Sequence, residues 1–252
     1  LWKGRVTMKA LFIKCNGELT PDMLAGALVN MGVPEIYLQA EGKKAGLYTR
    51  PIIRNNPYAQ IGATYFYRPP VMGKENLTME GLKAEWKELC EKGCQEFLMP
   101  GNKVMDALQA GLNETGASLQ DLHVAPENLI SLYYILLGIS YLEADAIFTC
   151  PLDITAGKTE QGKAVSAILK RKGATAGLPI PVEGISAFAA AILEGLSEEF
   201  QSMDGRFIVD ATSYGTSQIE NPAGENTVTL YLGYYTEKNN SIFNRRLQIF
   251  GQ

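Results

Sequence analysis

Histidine and cysteine, the side chains that most often carry acid–base chemistry and bind transition metals, are scarce in this sequence of 252 residues. His123 is the one imidazole, so a Ser-His-Asp triad has no local support. The four cysteines follow no disulfide spacing, and we interpret them as free thiols in the cytoplasm. Cys90 and Cys94 are expected to share one face of a helix. Without a second pair they do not predict a closed zinc site.

Excess positive charge and long apolar runs are also missing. The chain has 23 Lys and Arg against 27 Asp and Glu, a net charge of −4, which argues against nucleic acid or an anionic membrane as a partner. The longest apolar run, residues 129–137, is far shorter than the roughly 20 residues of a membrane span. A hydrophobic content of 46% with 20% charged residues instead predicts an ordinary soluble globular chain.

The hydrophobic pattern mixes two periodicities without strict alternation, which predicts an α+β fold with mixed or antiparallel sheets and about five to six helices. We expect one unit over residues 8–235, with a sub-boundary near 70–78. Residues 1–7 are expected to be an extension outside the fold, and residues 236–252 a C-terminal tail. Helices are predicted at 21–31, 78–97, 101–112, 126–142, 160–171 and 182–196. Strands are predicted at 8–14, 35–40, 46–54, 62–68, 144–150, 206–211 and 227–235.

A Gly157-Lys158-Thr159 tripeptide lies between a predicted strand and a predicted helix, where a nucleotide phosphate loop would be found. The full motif needs a glycine five residues before Gly157, and Leu152 occupies that position. The sequence therefore does not predict a nucleotide phosphate loop, and weak anion binding at the helix N-terminus stays open.

Three segments carry a family resemblance. Residues 11–13 lead, after a gap, into Asp-Met-Leu-Ala-Gly-Ala-Leu at 22–28 and Met-Gly at 31–32. Residues 146–152 read Ala-Ile-Phe-Thr-Cys-Pro-Leu, and the last segments are Tyr-Gly-Thr at 214–216 and Asn-Thr-Val-Thr-Leu-Tyr-Leu-Gly at 226–233. In this order they resemble the N-terminal part of the nickel-insertion family of the nickel-pincer cofactor (LarC), with its S-G-I-S-G-D-M, V-Y-A-S-P-L, G-Y-G-A-G-T and P-N-V-L-R elements. The resemblance spans residues 8–233.

The resemblance implies a function related to CTP-dependent nickel insertion into pyridinium-3,5-bisthiocarboxylic acid mononucleotide, a lyase-class reaction, with nickel or another divalent metal. We expect a small-molecule pocket among loops 16–22, 151–159 and 214–216, because such loops join strand ends to helix starts. The expected soft-metal donors are Cys15, His123 and Cys150. The expected ligand-binding residues are Thr20, Asp22, Lys158, Thr159, Tyr214, Gly215 and Thr216.

A second hypothesis stays open beside this one: a non-catalytic assembly or scaffold subunit that keeps the family fold with a decayed site. Lys14 replaces an aspartate of the family, and residues 122–134 hold one histidine and no aspartate. The family's C-terminal portion, associated with CTP and divalent metal, has no counterpart in these residues. This hypothesis predicts a homo-oligomer or a partner subunit, with the C-terminal tail as a docking segment. Whether the chain is an active enzyme is left open by the sequence.

Overall fold

The structure is a computed structural model that describes residues 6–55, 61–70, 77–154, 157–172, 178–180, 182–220, 222 and 224–237. These residues form seven α-helices and nine β-strands. The helices are α1 (Pro21–Asn30), α2 (Glu35–Lys44), α3 (Met79–Lys92), α4 (Leu98–Thr115), α5 (Glu127–Tyr141), α6 (Glu160–Lys170) and α7 (Ala187–Leu196). The strands are β1 (Val6–Cys15), β2 (Ile52–Asn55), β3 (Thr64–Tyr67), β4 (Ala146–Thr149), β5 (Leu152–Ile154), β6 (Leu178–Ile180), β7 (Glu199–Phe200), β8 (Phe207–Thr216) and β9 (Thr227–Glu237).

A mixed sheet of seven strands organises the chain, in the order β2-β3-β8-β9-β1-β4-β7. Strands β3, β8, β1, β4 and β7 run in one direction, whereas β2 and β9 run antiparallel to their neighbours. Strands β5 and β6 pair separately. The α+β prediction is confirmed. The ends of the five like-directed strands meet at one side of the sheet, which we call the carboxyl edge, and α1 starts there.

Side chains of successive strand residues point to opposite faces, so each strand contributes to two environments. Leu11 and Ile13 of β1 lie in the large core formed with the helices, on what we call the helix face. Ala10 and Phe12 lie on the second face, in a small buried cluster. The cluster contains Met8, Ala10, Phe12, Ala146, Phe148, Phe207 and Tyr235.

The local sequence explains why α1 forms where it does. The Thr20 hydroxyl accepts a hydrogen bond from Met23 N–H, and Pro21 occupies the first turn, where its missing N–H costs nothing. The helix then packs on β8 and on α5, with Gly138 of α5 against the side chain of Leu28. Helix α5 is buried along most of its length, as its nearly continuous apolar composition predicts.

Among the helices that the structure describes, none combines the length and the apolar composition of a membrane-crossing segment.

Helix α2 occupies residues that the sequence pattern assigned to a strand at 35–40. Its aromatic and branched side chains alternate as in a strand, but packing on α5 decides its conformation. Gly42 approaches the Tyr134 hydroxyl so closely that an added Cβ would lie 2.7 Å from the oxygen, and Leu38 is buried beside it. The predicted strand at 46–54 shrinks to the four residues of β2.

The boundaries of other elements also differ from the prediction. Helix α3 ends at Lys92, so Cys94 lies beyond it and the prediction that Cys90 and Cys94 share one helix face is wrong. Strand β1 begins at Val6 and β9 ends at Glu237, so the fold takes in two residues beyond each expected limit. The remainder of the expected extension and tail, residues 1–5 and 238–252, lies outside the described residues.

Candidate functional site

The three loops expected to form a pocket are neighbours at the carboxyl edge. In the first loop, Glu18 N–H donates to Glu225 O at 2.7 Å, and Ser217 Oγ donates to Glu18 Oε2 at 2.5 Å, directly after the end of β8. Leu19 N–H donates to Gly184 O at 3.0 Å, next to Glu183, whose Oε1 accepts from Lys158 N–H at 2.9 Å. A chain of contacts thus connects all three loops, apart from residues 155–156, which lie outside the described residues.

The predicted ligand-binding hydroxyls in these loops already have internal partners. Thr20 accepts from Met23 N–H, and Thr159 caps α6 by accepting from Gly162 N–H at 3.0 Å. Thr216 Oγ1 donates to Asn226 O at 3.0 Å or to Gln218 O at 3.1 Å. These three hydroxyls start helices and close a loop, which are structural roles.

Gly215 is required by the close approach of α1 to β8. A Cβ at this position would lie 1.8 Å from Met23 O and 2.7 Å from Ala27 N, so only glycine fits. Its neighbour Tyr214 donates its backbone N–H to Asn30 Oδ1 at 2.9 Å, which fastens the same strand to the same helix. The Tyr214 side chain belongs to the second face, by the alternation along β8.

The expected soft-metal donors are not assembled into one site. Cys15 is buried on the helix face, where its thiol donates to Gly17 O. Cys150 packs against the cluster on the second face, and His123 lies exposed in a turn with φ 52°. Burial raises the pKa of both thiols to about 11, which disfavours the thiolate that a metal requires. No three His, Cys, Asp or Glu side chains of the described residues form a metal-binding group, so this donor set does not fit a nickel centre.

Asp22 belongs to a buried polar network that joins α1, α5 and the chain after β3. Ser131 Oγ donates to Asp22 Oδ1 at 2.5 Å and accepts from Arg68 Nε, also at 2.5 Å. Arg68 Nε lies 3.4 Å from the same carboxylate oxygen, and each charged side chain keeps only 18% of its surface exposed. Ser131 is fully buried. The network therefore holds an ion pair through a shared hydroxyl.

Burial dominates the electrostatics of this network. It raises the pKa of Asp22 above its ordinary value, although the Arg68 guanidinium, the Ser131 hydroxyl and the Arg68 N–H all lower it. Burial and the nearby Asp22 charge also raise the pKa of Tyr65, which lies on β3. The carboxylate is thus held where its charge is costly, and its partners only partly offset that cost.

Arg68 connects the network to an open cavity of about 390 Å³. The cavity lies between α3, α5 and the segment that follows α2. Its walls combine apolar and aromatic side chains with both signs of charge, and Lys92 Nζ binds Glu88 Oε1 at 2.6 Å. The wall residues that concern the chemistry are Tyr48, Arg68, Glu85, Glu88, Ile130 and Tyr134. A cavity of this size lies within the range of pockets that hold small molecules.

Sequence reasoning missed Arg68 and Ser131. One signal was present: Ser131 stands in a helix of nearly continuous apolar composition, and a buried hydroxyl requires a partner. Its partners Asp22 and Arg68 are distant in sequence, so the identity of the network depends on the tertiary fold. Asp22 itself was expected to bind a ligand, as part of the loop at 16–22.

Comparison with protein-family models, with curated proteins and with solved structures finds no significant match to this chain. The resemblance to LarC therefore stays a prediction from the three sequence segments.

Proposed function

We propose that this chain is a LarC-like protein that binds a small zwitterion, a pyridinium mononucleotide, in the cavity beside Arg68. The observation that supports the proposal is the position of Arg68, whose side chain both lines the cavity and is fixed from behind by Ser131 and Asp22. A guanidinium held in this way is preorganised to bind a phosphate or carboxylate group.

The other walls suit the opposite end of such a ligand. The exposed ring of Tyr48 lines the cavity, and an aromatic face attracts a pyridinium cation. Glu85 and Glu88 place carboxylates on the same wall as Lys92, so the cavity favours a ligand with both signs of charge over a simple anion. The volume of about 390 Å³ suits a mononucleotide.

The nickel step is a separate matter. Cys15, His123 and Cys150 do not form a metal centre, so we derive no insertion step from them. We propose ligand binding as the retained part of the LarC-like function, in the cytoplasm, and nickel insertion stays a prediction of the resemblance. Titration of the protein with Ni²⁺ tests this prediction. Nickel binding that is lost when Cys15 and His123 are changed to alanine would show that these residues are metal donors.

Isothermal titration calorimetry with nicotinic acid mononucleotide, a stable pyridinium mononucleotide, tests the proposal in phosphate buffer. Thr49 lines the cavity from its exposed side, and Thr49→Trp should fill the space and weaken binding about tenfold or more. Ala40→Trp places the same side chain on an exposed position of α2 outside the cavity wall, and should bind like wild type. No heat of binding, or equal affinity in the Thr49 variant, would contradict the proposal.

The second hypothesis, a non-catalytic scaffold subunit, draws on one observation of its own. At the carboxyl edge, where the LarC-like segments lie, the hydroxyls of Thr20, Thr159 and Thr216 serve helix caps and loop closure. A site whose polar groups have taken structural roles is what a decayed site would look like. Light scattering after size-exclusion chromatography tests it. A stable oligomer without mononucleotide binding favours the scaffold, and a monomer that binds the mononucleotide excludes it.

A further inference from the structure

A row of polar side chains crosses the second face of the sheet near the carboxyl edge. Tyr214 of β8 pairs with Thr229 of β9, and Thr229 pairs with Lys14 of β1. Cys150, directly after β4, continues the row, because its N–H donates to Ile13 O at 2.8 Å. Four adjacent strands thus present a phenol, a hydroxyl, an ammonium and a thiol on one face.

The ends of these side chains are close enough to influence each other electrostatically. Tyr231 lies on the same face of β9, one row further in, opposite Phe12. Burial, Cys150 and Tyr214 raise the pKa of Tyr231, and Lys14 lowers the pKa of Cys150 against the larger effect of burial. The two phenols, the thiol and the ammonium therefore lie near one another on this face, in adjacent rows of the sheet.

Lys14 is half-buried and lies between Thr229 and Cys150 in this row. No carboxylate of the described residues forms an ion pair with it. A bound anion would supply the counter-ion that this ammonium lacks among the described residues.

The Thr229 hydroxyl is oriented so that it can donate a hydrogen bond to such an anion. Asn16 Nδ2 donates to Thr229 Oγ1 at 3.0 Å and to Thr227 O at 3.2 Å, so the Thr229 hydroxyl accepts one hydrogen bond and keeps its proton for another acceptor. On the β8 side the same face carries Thr212, which is exposed and leaves a way in from solvent. In the next row inward, the buried rings of Phe12 and Phe148 pack against each other and border the polar row on its inner side.

We propose that this row binds an oxyanion, the phosphate or carboxylate group of a small molecule, with Lys14 Nζ as the counter-ion and the hydroxyls of Thr229, Tyr214 and Tyr231 as donors. The site lies on the opposite face of the sheet from the Arg68 network, and it is independent of the mononucleotide proposal. Ammonium and phenol donors are well suited to such an anion, and the neutral thiol of Cys150 forms part of the wall.

Fluorine NMR of protein carrying 3-fluorotyrosine at its twelve tyrosines tests the proposal directly. Tyr214→Phe and Tyr231→Phe assign the two resonances of interest. Inorganic phosphate and acetate are added in separate titrations, each at constant ionic strength against chloride. We expect both resonances to shift saturably with at least one anion, and the titration that does so identifies the anion as phosphate or carboxylate.

Lys14→Gln should weaken the apparent affinity about tenfold or more, and Lys14→Arg should preserve it. Lys9→Gln removes a lysine from the same strand but from the helix face, and should leave the titration unchanged. If the dispersion of the fluorine spectrum shows that Lys14→Gln is unfolded, Lys14→Met replaces it. Equal shifts in chloride, no saturable shift with either anion, or shifts that persist without the ammonium would each overturn the proposal. Thr49→Trp should not change the outcome.

Discussion

The carboxyl edge of the sheet and the cavity beside Arg68 differ in what their polar groups are doing. At the edge, Thr20, Thr159 and Thr216 use their hydroxyls to cap helices and close a loop. Beside the cavity, the Ser131 hydroxyl and the Asp22 carboxylate hold the charged side chain of Arg68, which lines the open space. The first arrangement is complete without a ligand, whereas the second positions Arg68 for one.

A polar residue at a strand end is a weak indication of a binding site until the hydrogen bonds that it makes within the protein have been counted. A helix cap occupies a lone pair of the hydroxyl oxygen and a loop carbonyl takes its proton, so each structural bond reduces what the hydroxyl can offer a ligand. The polar residues of the edge loops matched the sequence pattern of a binding site, but in the fold their hydroxyls bond within the protein. The cavity matched no such pattern, because the contacts that hold Arg68 join distant parts of the chain.

Gly215→Ala should have the largest effect on stability. The added methyl meets Met23 O at 1.8 Å, so α1 must move away from β8, at a cost of about 3 kcal/mol in the free energy of unfolding. Gly205→Ala, where nothing lies within 4 Å, should change stability by less than about 0.5 kcal/mol. Urea unfolding measures both. Equal effects would mean that Gly215 is free for the ligand-binding role expected from the sequence.

Ser131→Ala should be the next largest effect. It removes the hydroxyl between Asp22 and Arg68 and leaves two nearly buried charged groups short of a partner, at about 1–3 kcal/mol. Ser217→Ala removes a hydroxyl–carboxylate bond of the same length, 2.5 Å, at the exposed edge, and should cost less than about 0.5 kcal/mol. Comparable losses in chemical unfolding would show that the network beside the cavity is no more critical than the edge.

Thr20→Ala should cost about 1 kcal/mol of stability through the lost cap of α1. Thr20→Ser keeps the hydroxyl and should behave as wild type. Neither change should alter the affinity for nicotinic acid mononucleotide, because Thr20 does not line the cavity. Affinity that falls several-fold in a folded Thr20→Ala protein would place the ligand at the edge.

Asp22→Asn should have the smallest effect on stability. The effect should appear as a difference in how the stabilities of wild type and variant depend on pH. The folded-state pKa of Asp22 is raised by burial, so its contribution is fully present below the unfolded-state pKa and is lost as pH rises through the folded-state value. The stability of wild type relative to Asp22→Asn should therefore increase as pH falls.

Asp121 is the matched control, because hydrogen bonds from Ser118 lower its pKa. Its contribution is present above the unfolded-state pKa and is lost as pH falls through the folded-state value. Wild type relative to Asp121→Asn should thus follow pH in the opposite direction. Urea unfolding from acid to neutral pH compares the two, and parallel trends would contradict the burial of the Asp22 charge.

Local signals predicted much of the fold. Thr20 with Pro21 fixed the start of α1, and the continuous apolar run predicted the buried α5. Residues 35–40 were wrongly assigned to a strand, since a short segment of mixed periodicity takes its conformation from what it packs on. Here that partner is Tyr134, which contacts Gly42 of α2. Loops 16–22 and 214–216 lie next to each other, because Glu18 bonds to Ser217 and Glu225, and the pocket expected among them stays a prediction.

The candidate site could be predicted only in part. Asp22 was expected at a ligand site, but its partners are Arg68, directly after β3, and Ser131 of α5, and no local pattern connects them. Sequence also gave no sign that Cys15 and Cys150 lie on opposite faces of the sheet, because that depends on the register of β1 with β4. Pairing across the sheet is tertiary information.

The most direct test of the account is to locate the bound mononucleotide. Backbone amide shifts are measured on isotopically labelled protein titrated with nicotinic acid mononucleotide in phosphate buffer, so that any oxyanion site on the second face is already filled. The account predicts that the amides of Leu47, Thr49 and Ile130 at the cavity move in a saturable way while those of Glu18 and Lys158 at the carboxyl edge stay fixed. Shifts confined to the edge, with the cavity amides unchanged, would contradict it.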